Sequence, residues 1–182
     1  LVALDDALLL ALSRAYGVSP WLHLSTLEPD GRFSSRTAQA VLSSPASQDR
    51  LAEQVVRTME EKGYAGLDVD FEYIGGDFAQ AYAQWIGLLK ERLSGTGKEV
   101  LAALAPKTSR DQPGVLYEGH DYALLGQAAD RVLLMTYEWG YTYGPPMAVA
   151  PLPAVRRVVE FALSQIPAEK IYLGFPNYGY DW

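Results

Sequence analysis

Two spacings of hydrophobic residues alternate along this chain. Short apolar runs, typical of buried strands, are separated by segments whose apolar residues recur every three or four positions, the spacing of an amphipathic helix. The first helical segment carries Leu8, Leu9, Leu12 and Ala15 and ends at Gly17. The pattern predicts further helices at 48–62, 78–93, 122–129 and 155–166, and strands at 21–27, 66–73, 100–105, 132–137 and 171–175.

Five predicted strands that alternate with helices indicate the fold class. Parallel strands need crossover connections, which are usually helices that cover both faces of the sheet. The sequence therefore predicts an α/β fold with a mostly parallel sheet. In closed barrels of this type the active site lies at the carboxyl ends of the strands, and the long predicted loops 28–45, 107–120 and 139–151 follow strands at that end.

The predicted strand at 66–73 alternates between apolar and acidic side chains. Successive strand side chains point to opposite faces, so Asp68, Asp70 and Glu72 share one face, with neighbours about 6.5 Å apart. On an antiparallel sheet such acids can simply face solvent, but a parallel sheet covered on both faces leaves them a barrel interior or a cleft. Three like charges this close cannot all ionise freely where water is scarce, so at least one is expected to be protonated near neutral pH, as a general acid requires.

Composition narrows the possible partners. With 182 residues and 49% apolar content the chain can bury one sizeable core, so we expect a single domain. A net charge of -7 without any lysine or arginine cluster argues against nucleic acid, and the lack of cysteine excludes a thiol nucleophile and a thiolate metal site. The leucine-rich start at 1–12 contains Asp5 and Asp6 and lacks a basic leader, so we expect neither a secretory signal nor a membrane span there.

Three motifs, in order along the chain, resemble those of glycoside hydrolase family 18. Residues 66–72, Gly-Leu-Asp-Val-Asp-Phe-Glu, resemble the family's strand-four signature, which ends in the proton donor. Residues 135–138, Met-Thr-Tyr-Glu, resemble its strand-six motif, and residues 178–182, Tyr-Gly-Tyr-Asp-Trp, its strand-seven segment. The run 104–152 is similar to the family's spore cortex-lytic N-acetylglucosaminidase branch. The resemblance covers essentially the whole chain, 1–182, as a partial (β/α)8 TIM-barrel catalytic domain.

Two positions depart from the broader family. An aspartate usually precedes the signature glycine, whereas this chain has Ala65, and the strand-six aspartate is replaced by Glu138. The spore branch tends to share both features. They therefore indicate a subfamily rather than a loss of activity.

The resemblance implies an activity and a role for each site residue. It implies a retaining hydrolase that cleaves β-1,4 linkages of N-acetylglucosamine in peptidoglycan by substrate-assisted catalysis, with no cofactor or metal and with a glycan as its partner. Glu72 would protonate the leaving oxygen and later activate water, and Asp70 would stabilise the cyclised cation. Asp68 would share a proton with Asp70, and Tyr137 would donate its hydroxyl to the acetamido oxygen. The implied substrate-binding residues are Met135, Glu138, Trp139, Asn177 and Tyr178. A spore or cell-wall location outside the cytoplasm is implied in the same way.

Other interpretations of these residues stay open. A tyrosine or methionine inside a barrel is often only packing, so Tyr137 and Met135 can be structural, and His23 and His120 are expected to be hydrogen-bonded structural residues. The chain can also be a non-catalytic glycan-binding module, although such relatives typically lose the acid that is Glu72 here, or a chitinase-type enzyme. A carboxylate-bound metal hydrolase is disfavoured, because ligands along one strand do not converge on an ion.

The number of strands sets an expectation about completeness. A (β/α)8 barrel takes about 250 residues, and the five predicted strands correspond by their motifs to the family's third to seventh. We therefore expect a truncated barrel that forms an open or partly closed sheet with two free edges and exposed apolar surface. We also expect self-association through that surface and no activity of this chain alone.

Overall fold

Five strands form one parallel sheet whose order follows the sequence. The computed structural model describes residues 5–182, in which each strand pairs with its neighbour in the chain. The strands are β1 (Trp21–Ser25), β2 (Gly66–Asp70), β3 (Glu99–Leu104), β4 (Arg131–Leu134) and β5 (Ile171–Leu173). The helices are α1 (Ala7–Tyr16), α2 (Ser35–Leu42), α3 (Pro45–Lys62), α4 (Ala79–Arg92), α5 (Val115–Glu118), α6 (Tyr122–Ala128) and α7 (Leu152–Gln165), with short 3₁₀ turns at Gly76–Phe78 and Ala168–Lys170. A consecutive parallel order is that of a (β/α)8 barrel, so the predicted fold class is confirmed.

Local sequence signals set the helix boundaries. The hydroxyl oxygens of Ser34 and Ser44 accept hydrogen bonds from backbone N–H groups three residues further on, which caps α2 and α3, and Pro45 occupies the first turn of α3. Asp121 caps α6 in the same way. The sequence predicts a loop over 28–45, whereas α2 lies inside it. Eight residues give too short a periodic pattern to separate this helix from a polar loop.

One face of the sheet is buried beneath the helices. The fully buried side chains of the strands on this face are Leu67, Val69, Val100, Ala102, Leu104, Val132 and Leu134. From α4, which packs between α3 and α6, come Trp85, Ile86 and Leu89, none of them exposed to solvent. Truncating one of these large side chains to alanine costs about 2–5 kcal/mol, so this layer holds the sheet in place.

The strands end earlier than the sequence pattern predicts. β2 stops at Asp70 and β4 at Leu134, and β1 and β5 are also shorter than predicted. The backbone turns soon afterwards, with left-handed φ angles of 54° at Tyr73 and 65° at Glu138. The last residues of the strand-four and strand-six motifs therefore lie on loops at the carboxyl end of the sheet, the end at which barrel active sites lie.

Apolar side chains are exposed towards both edges of the sheet. On α1, which leads into β1, Leu8 is 73% exposed and Leu12 is also exposed. At the other edge Leu173 and Phe175 are 51% and 87% exposed. β1 and β5 each pair on one side only, as the sequence predicts for an open sheet. Within residues 5–182 no helix is both long and apolar enough to cross a membrane, and the first four residues of the leucine-rich start lie outside the described range.

Candidate active site

The strand register fixes the acids on the face of the sheet opposite the helices. In the pairing of β1 with β2, His23 lies beside Asp68 and Ser25 beside Asp70. The leucine and valine that alternate with these acids are fully buried beneath the helix layer, and Asp70 is itself 9% exposed. The structure thus brings the first two predicted acids onto one face, with β1 as their neighbour.

An ion pair joins β1 to this acidic row, which comprises Asp68, Asp70 and Glu72. Nδ1 of His23 lies 2.7 Å from Oδ2 of Asp68, and this hydrogen bond raises the pKa of the imidazole. The Oδ1 atoms of Asp68 and Asp70 are buried, and no residue within 5–182 donates a hydrogen bond to them. Buried carboxylate oxygens without donors favour a proton held within the row.

Burial gives two of the acids proton affinities suited to acid–base chemistry. Desolvation raises the pKa of Asp70 to about 6, with the charge of Asp68 adding to the rise and that of His23 opposing it. Desolvation likewise raises the pKa of Glu72 to about 7, and the charge of Asp70 contributes. A carboxyl group that is half protonated near neutral pH can both give and take a proton in one catalytic cycle.

The backbone that carries Glu72 is held by the residue before it. The ring of Phe71 is buried and stacks on Tyr82 and Trp85, with centroid distances of 5.8 and 4.9 Å. Its carbonyl oxygen accepts a hydrogen bond from Nε2 of His120 at 2.9 Å. Phe71, the residue before Glu72, is therefore held in place through both its ring and its carbonyl group.

His120 makes this contact as a neutral imidazole. The N–H of Ala105 donates to its Nδ1 at 2.8 Å, so the ring proton must be on Nε2, the atom that faces the Phe71 carbonyl. Complete burial lowers the pKa of His120 to about 4. The hydroxyl of Tyr122 donates to the Ala105 carbonyl at 2.6 Å and accepts from the N–H of Lys107 at 3.0 Å, which ties the carboxyl end of β3 to α6. His120 is thus a structural residue, as predicted, but one that contacts the strand-four motif.

Glu72 opens into a cavity of about 370 Å³ at the carboxyl end of the sheet. The cavity is lined by Glu72, Tyr73, Pro106, Leu116, Tyr117, Met135, Tyr137, Glu138, Trp139 and Tyr141. Five predicted site residues therefore meet there, with aromatic rings around them. Rings of this kind provide flat apolar surfaces for a sugar. Asp68 and Asp70 lie outside this lining and act on it through charge.

The ring of Tyr137 lies where only a glycine leaves room. A Cβ added at Gly174 would stand 2.6 Å from Cε1 of Tyr137 and 2.7 Å from the Leu134 carbonyl oxygen. Thr136 donates its hydroxyl to the Gly174 carbonyl at 2.8 Å, which fixes the loop after β4 to the chain after β5. Burial, and then the charges of Asp70 and Glu72, raise the pKa of the Tyr137 phenol. The phenol therefore remains a hydrogen-bond donor.

The remaining predicted substrate-binding residues, Asn177 and Tyr178, do not line the Glu72 cavity. The carboxylate of Glu138 accepts hydrogen bonds from the hydroxyls of Tyr178 and Tyr180, the latter at 3.0 and 2.8 Å. Tyr178 lines a second cavity, of about 420 Å³, with Tyr180 and Trp182. Asn177 is exposed and does not line the Glu72 cavity. The structure thus connects Tyr178 to the Glu72 cavity through Glu138 and leaves Asn177 apart.

Sequence reasoning did not single out Leu116 and Tyr117. Both lie on α5, a four-residue helix inside the predicted loop 107–120, too short to give a periodic signal. The available signal was the Pro113-Gly114 pair, where Gly114 has a left-handed φ of 124° that starts this turn. Within residues 5–182 no group of three or more histidine or acidic side chains is arranged to hold a metal ion, so the metal-hydrolase interpretation gains no support.

Five consecutive parallel strands with an acid-bearing cavity at their carboxyl end are the arrangement of part of a (β/α)8 barrel. The chain belongs to the family described as glycosyl hydrolases family 18, whose model matches residues 31–182. The resemblance inferred from the three motifs is therefore confirmed.

Individual relatives agree with this assignment. The chain is 42% identical to the cortical fragment-lytic enzyme of Bacillus subtilis (strain 168) over 150 residues, which is 82% of this chain and 35% of that protein. The crystal structure of the spore cortex-lytic enzyme SleL of Bacillus megaterium QM B1551 superposes with a TM-score of 0.86 at 36% identity, covering 96% of this chain and 39% of that one. That of the putative sporulation-specific glycosylase ydhD of Bacillus subtilis gives 0.91 at 30% identity, covering 100% and 59%. The chain thus spans less than two thirds of each relative's length.

Proposed function

We propose that the protein of which this chain is part is a retaining hydrolase of β-1,4-linked N-acetylglucosamine in spore-cortex peptidoglycan. One observation carries the proposal: Glu72 and Tyr137 line one aromatic cavity at the carboxyl ends of β2 and β4, with Asp70 buried behind them. The names of the relatives, which refer to spore cortex, suggest the substrate and a spore or cell-wall setting.

The reaction begins with the proton of Glu72. Its carboxyl group donates that proton to the leaving glycosidic oxygen, while the acetamido oxygen of the substrate attacks the anomeric carbon. Tyr137 donates its hydroxyl to the acetamido oxygen and holds it in line. Asp70 carries the negative charge that stabilises the cyclised cation. Glu72, now ionised, removes a proton from a water molecule whose oxygen attacks the anomeric carbon. The bond from that carbon to the acetamido oxygen breaks, and the sugar regains its original configuration.

Aromatic walls determine which ligands fit the cavity. Tyr73, Tyr117, Trp139 and Tyr141 surround Glu72 and leave an apolar surface suited to the face of a pyranose ring. Met135, which is nearly buried, forms part of the floor. A neutral glycan strand therefore fits this cavity better than a charged nucleotide, for which no basic side chain lines it.

The test compares two carboxyl-to-amide changes in the full-length protein. Glu72→Gln removes only the transferable proton. It should lower the rate of hydrolysis of defined cortex peptidoglycan by about 10²- to 10⁴-fold while glycan binding persists. Glu61→Gln, on the exposed face of α3, is the control and should retain full activity. Mass spectrometry of the released fragments identifies the bond that is cleaved. More than a tenth of wild-type turnover in Glu72→Gln contradicts the assignment, and binding without hydrolysis by the wild type favours a glycan-binding module.

A further inference from the structure

The acidic row has a partner that the family resemblance does not assign. His23 lies on β1, directly beside Asp68 in the strand register, and its Nδ1 approaches the carboxylate to 2.7 Å. Its side chain is 53% exposed and that of Asp68 is 26% exposed. A hydrogen bond between an imidazolium and a carboxylate is shorter and stronger than one between neutral groups, and this distance is typical of the charged kind.

We propose that His23 is a positioning residue of the acidic row: as an imidazolium it binds Oδ2 of Asp68 and offsets the negative charge there, so that the proton shared within the row is carried by Asp70 and Glu72. The proposal rests on the proposed function for the catalytic meaning of the row. The ion pair itself can be tested without any measurement of activity.

The surroundings of His23 contain little else that could set its charge. The charged groups that act on it within residues 5–182 are Asp68 and Asp70, both from β2. Its neighbours on the same face of β1, Trp21 and Ser25, carry no charge. The hydrogen bond to Asp68 is the main cause of the raised pKa of His23, and it outweighs the opposing effect of desolvation. The contact with Asp68 therefore favours the protonated imidazole.

The cation changes how the row binds protons. Asp68 raises the pKa of Asp70 through its negative charge, whereas His23 lowers it. When His23 is charged, its ion pair with Asp68 has almost no net charge. The pKa of Asp70 then depends mainly on burial. Without the cation, the charge of Asp68 acts on Asp70 unopposed, and the pKa of Asp70 rises further. The loss of His23 should therefore shift the acidic limb of the pH–rate profile upward.

The first measurement follows the imidazole directly. Histidine is labelled with ¹³C at Cε1 in the full-length protein, and the His23 signal is identified as the one that disappears in His23→Gln. We expect a titration midpoint above the ordinary value of 6.5, which falls towards that value in Asp68→Asn. The buried His120, with a pKa lowered to about 4, provides an internal reference that stays unprotonated over the same range.

The second measurement separates charge from packing. The acidic limb of kcat/KM should move up by about half to one pH unit in His23→Gln, less than the 1–3 units typical of a nearby charge because the pair is partly exposed. His23→Lys restores a cation and should return the limb to its wild-type position. Lys90→Gln breaks an ion pair of similar exposure, with Asp130 at 2.8 Å on the helix side, and should leave the limb unmoved.

The outcomes distinguish a failure of this proposal from a failure of the proposed function. A His23 midpoint at or below 6.5 that ignores Asp68→Asn overturns the ion pair, and a His23→Lys profile that matches His23→Gln overturns the role of charge. Continued hydrolysis by Glu72→Gln contradicts the proposed function, yet leaves the histidine titration as a valid test of the pair.

Discussion

The imidazole of His120 donates a hydrogen bond to the carbonyl of Phe71 at 2.9 Å, and this contact spans 49 positions of sequence. Because Phe71 directly precedes Glu72, a side chain in the loop before α6 helps to set the backbone that carries the proposed acid. Nδ1 of the same ring accepts the N–H of Ala105, so the contact also joins the carboxyl ends of β2 and β3. The placement of Glu72 is thus a property of three elements rather than of one strand.

We expect His120→Ala to destabilise the full-length protein strongly. The change leaves the Phe71 carbonyl and the Ala105 N–H buried without partners, and each unsatisfied group costs about 1–3 kcal/mol. A loss of about 2–5 kcal/mol in the free energy of unfolding should appear in urea denaturation. Arg92→Gln, which removes an exposed ion pair with Asp49, should cost less than about 1 kcal/mol. Similar losses in both variants would argue that the histidine bridge contributes little.

We expect Glu72→Gln to stabilise the protein at alkaline pH. The folded-state pKa of Glu72 is about 7 against an ordinary value of 4.5, so its contribution to stability is fully present below pH 4.5 and is lost as the pH rises through 7. Glutamine lacks this titration. Glu72→Gln should therefore increase the free energy of unfolding more at pH 8 than at pH 5. The difference should be on the order of 1–2 kcal/mol after allowance for solvent screening. Glu61→Gln is the exposed control, and an equal gain there contradicts the burial argument.

Gly174→Ala should impair the site by displacing a proposed catalytic group without replacing it. The new Cβ would displace the ring of Tyr137, from which it would lie only 2.6 Å away. We expect kcat in the full-length protein to fall by about 10-fold or more, because misplacing one group by an ångström can cost 10²-fold. Gly87→Ala, on α4 with no atom within 4 Å of its added Cβ, is the matched control. Unchanged kcat in Gly174→Ala would show that the position of Tyr137 does not matter.

Much of the fold could be predicted from the sequence because it depends on local periodicity. The five strands, their parallel direction and the alternating faces of β2 follow from the spacing of apolar residues and the alternation of strands with helices. Two kinds of feature could not be predicted. α2 and α5 are too short to show a helical period, and the bonds of His23 and His120 depend on strand register and on loop packing. The sequence contains both histidines but does not show which residues their rings contact in the fold.

We expect a thiazoline analogue of N-acetylglucosamine to inhibit the full-length protein competitively. The analogue resembles the cyclised intermediate, which the proposed mechanism stabilises through the charge of Asp70. Asp70→Asn removes that charge and should raise the inhibition constant by about 10-fold or more. Asp49→Asn, at an exposed position of α3, should leave it unchanged. Equal inhibition constants for the wild type and Asp70→Asn would argue against substrate assistance through this residue.

We expect the 182-residue chain to self-associate and to be inactive when produced alone. Exposed leucines on α1 and exposed apolar residues after β5 lie towards the edges of the sheet, where unpaired backbone groups can bind a second copy. Light scattering should therefore give a mass well above 20.0 kDa. The double change Leu8→Glu and Leu12→Glu should lower that mass. Val115→Glu, which places the same charge at an exposed residue of α5 away from the edges, should not.

The activity of the same sample completes this test. Without the remaining strands of a barrel, a glycan is held from one side only, which loosens its position against Glu72. A chromogenic N-acetylglucosamine oligomer should therefore be hydrolysed by the full-length protein and not by this chain. A monodisperse 20.0 kDa species with full activity would mean that five strands suffice for the chemistry and that the exposed edges do not drive association.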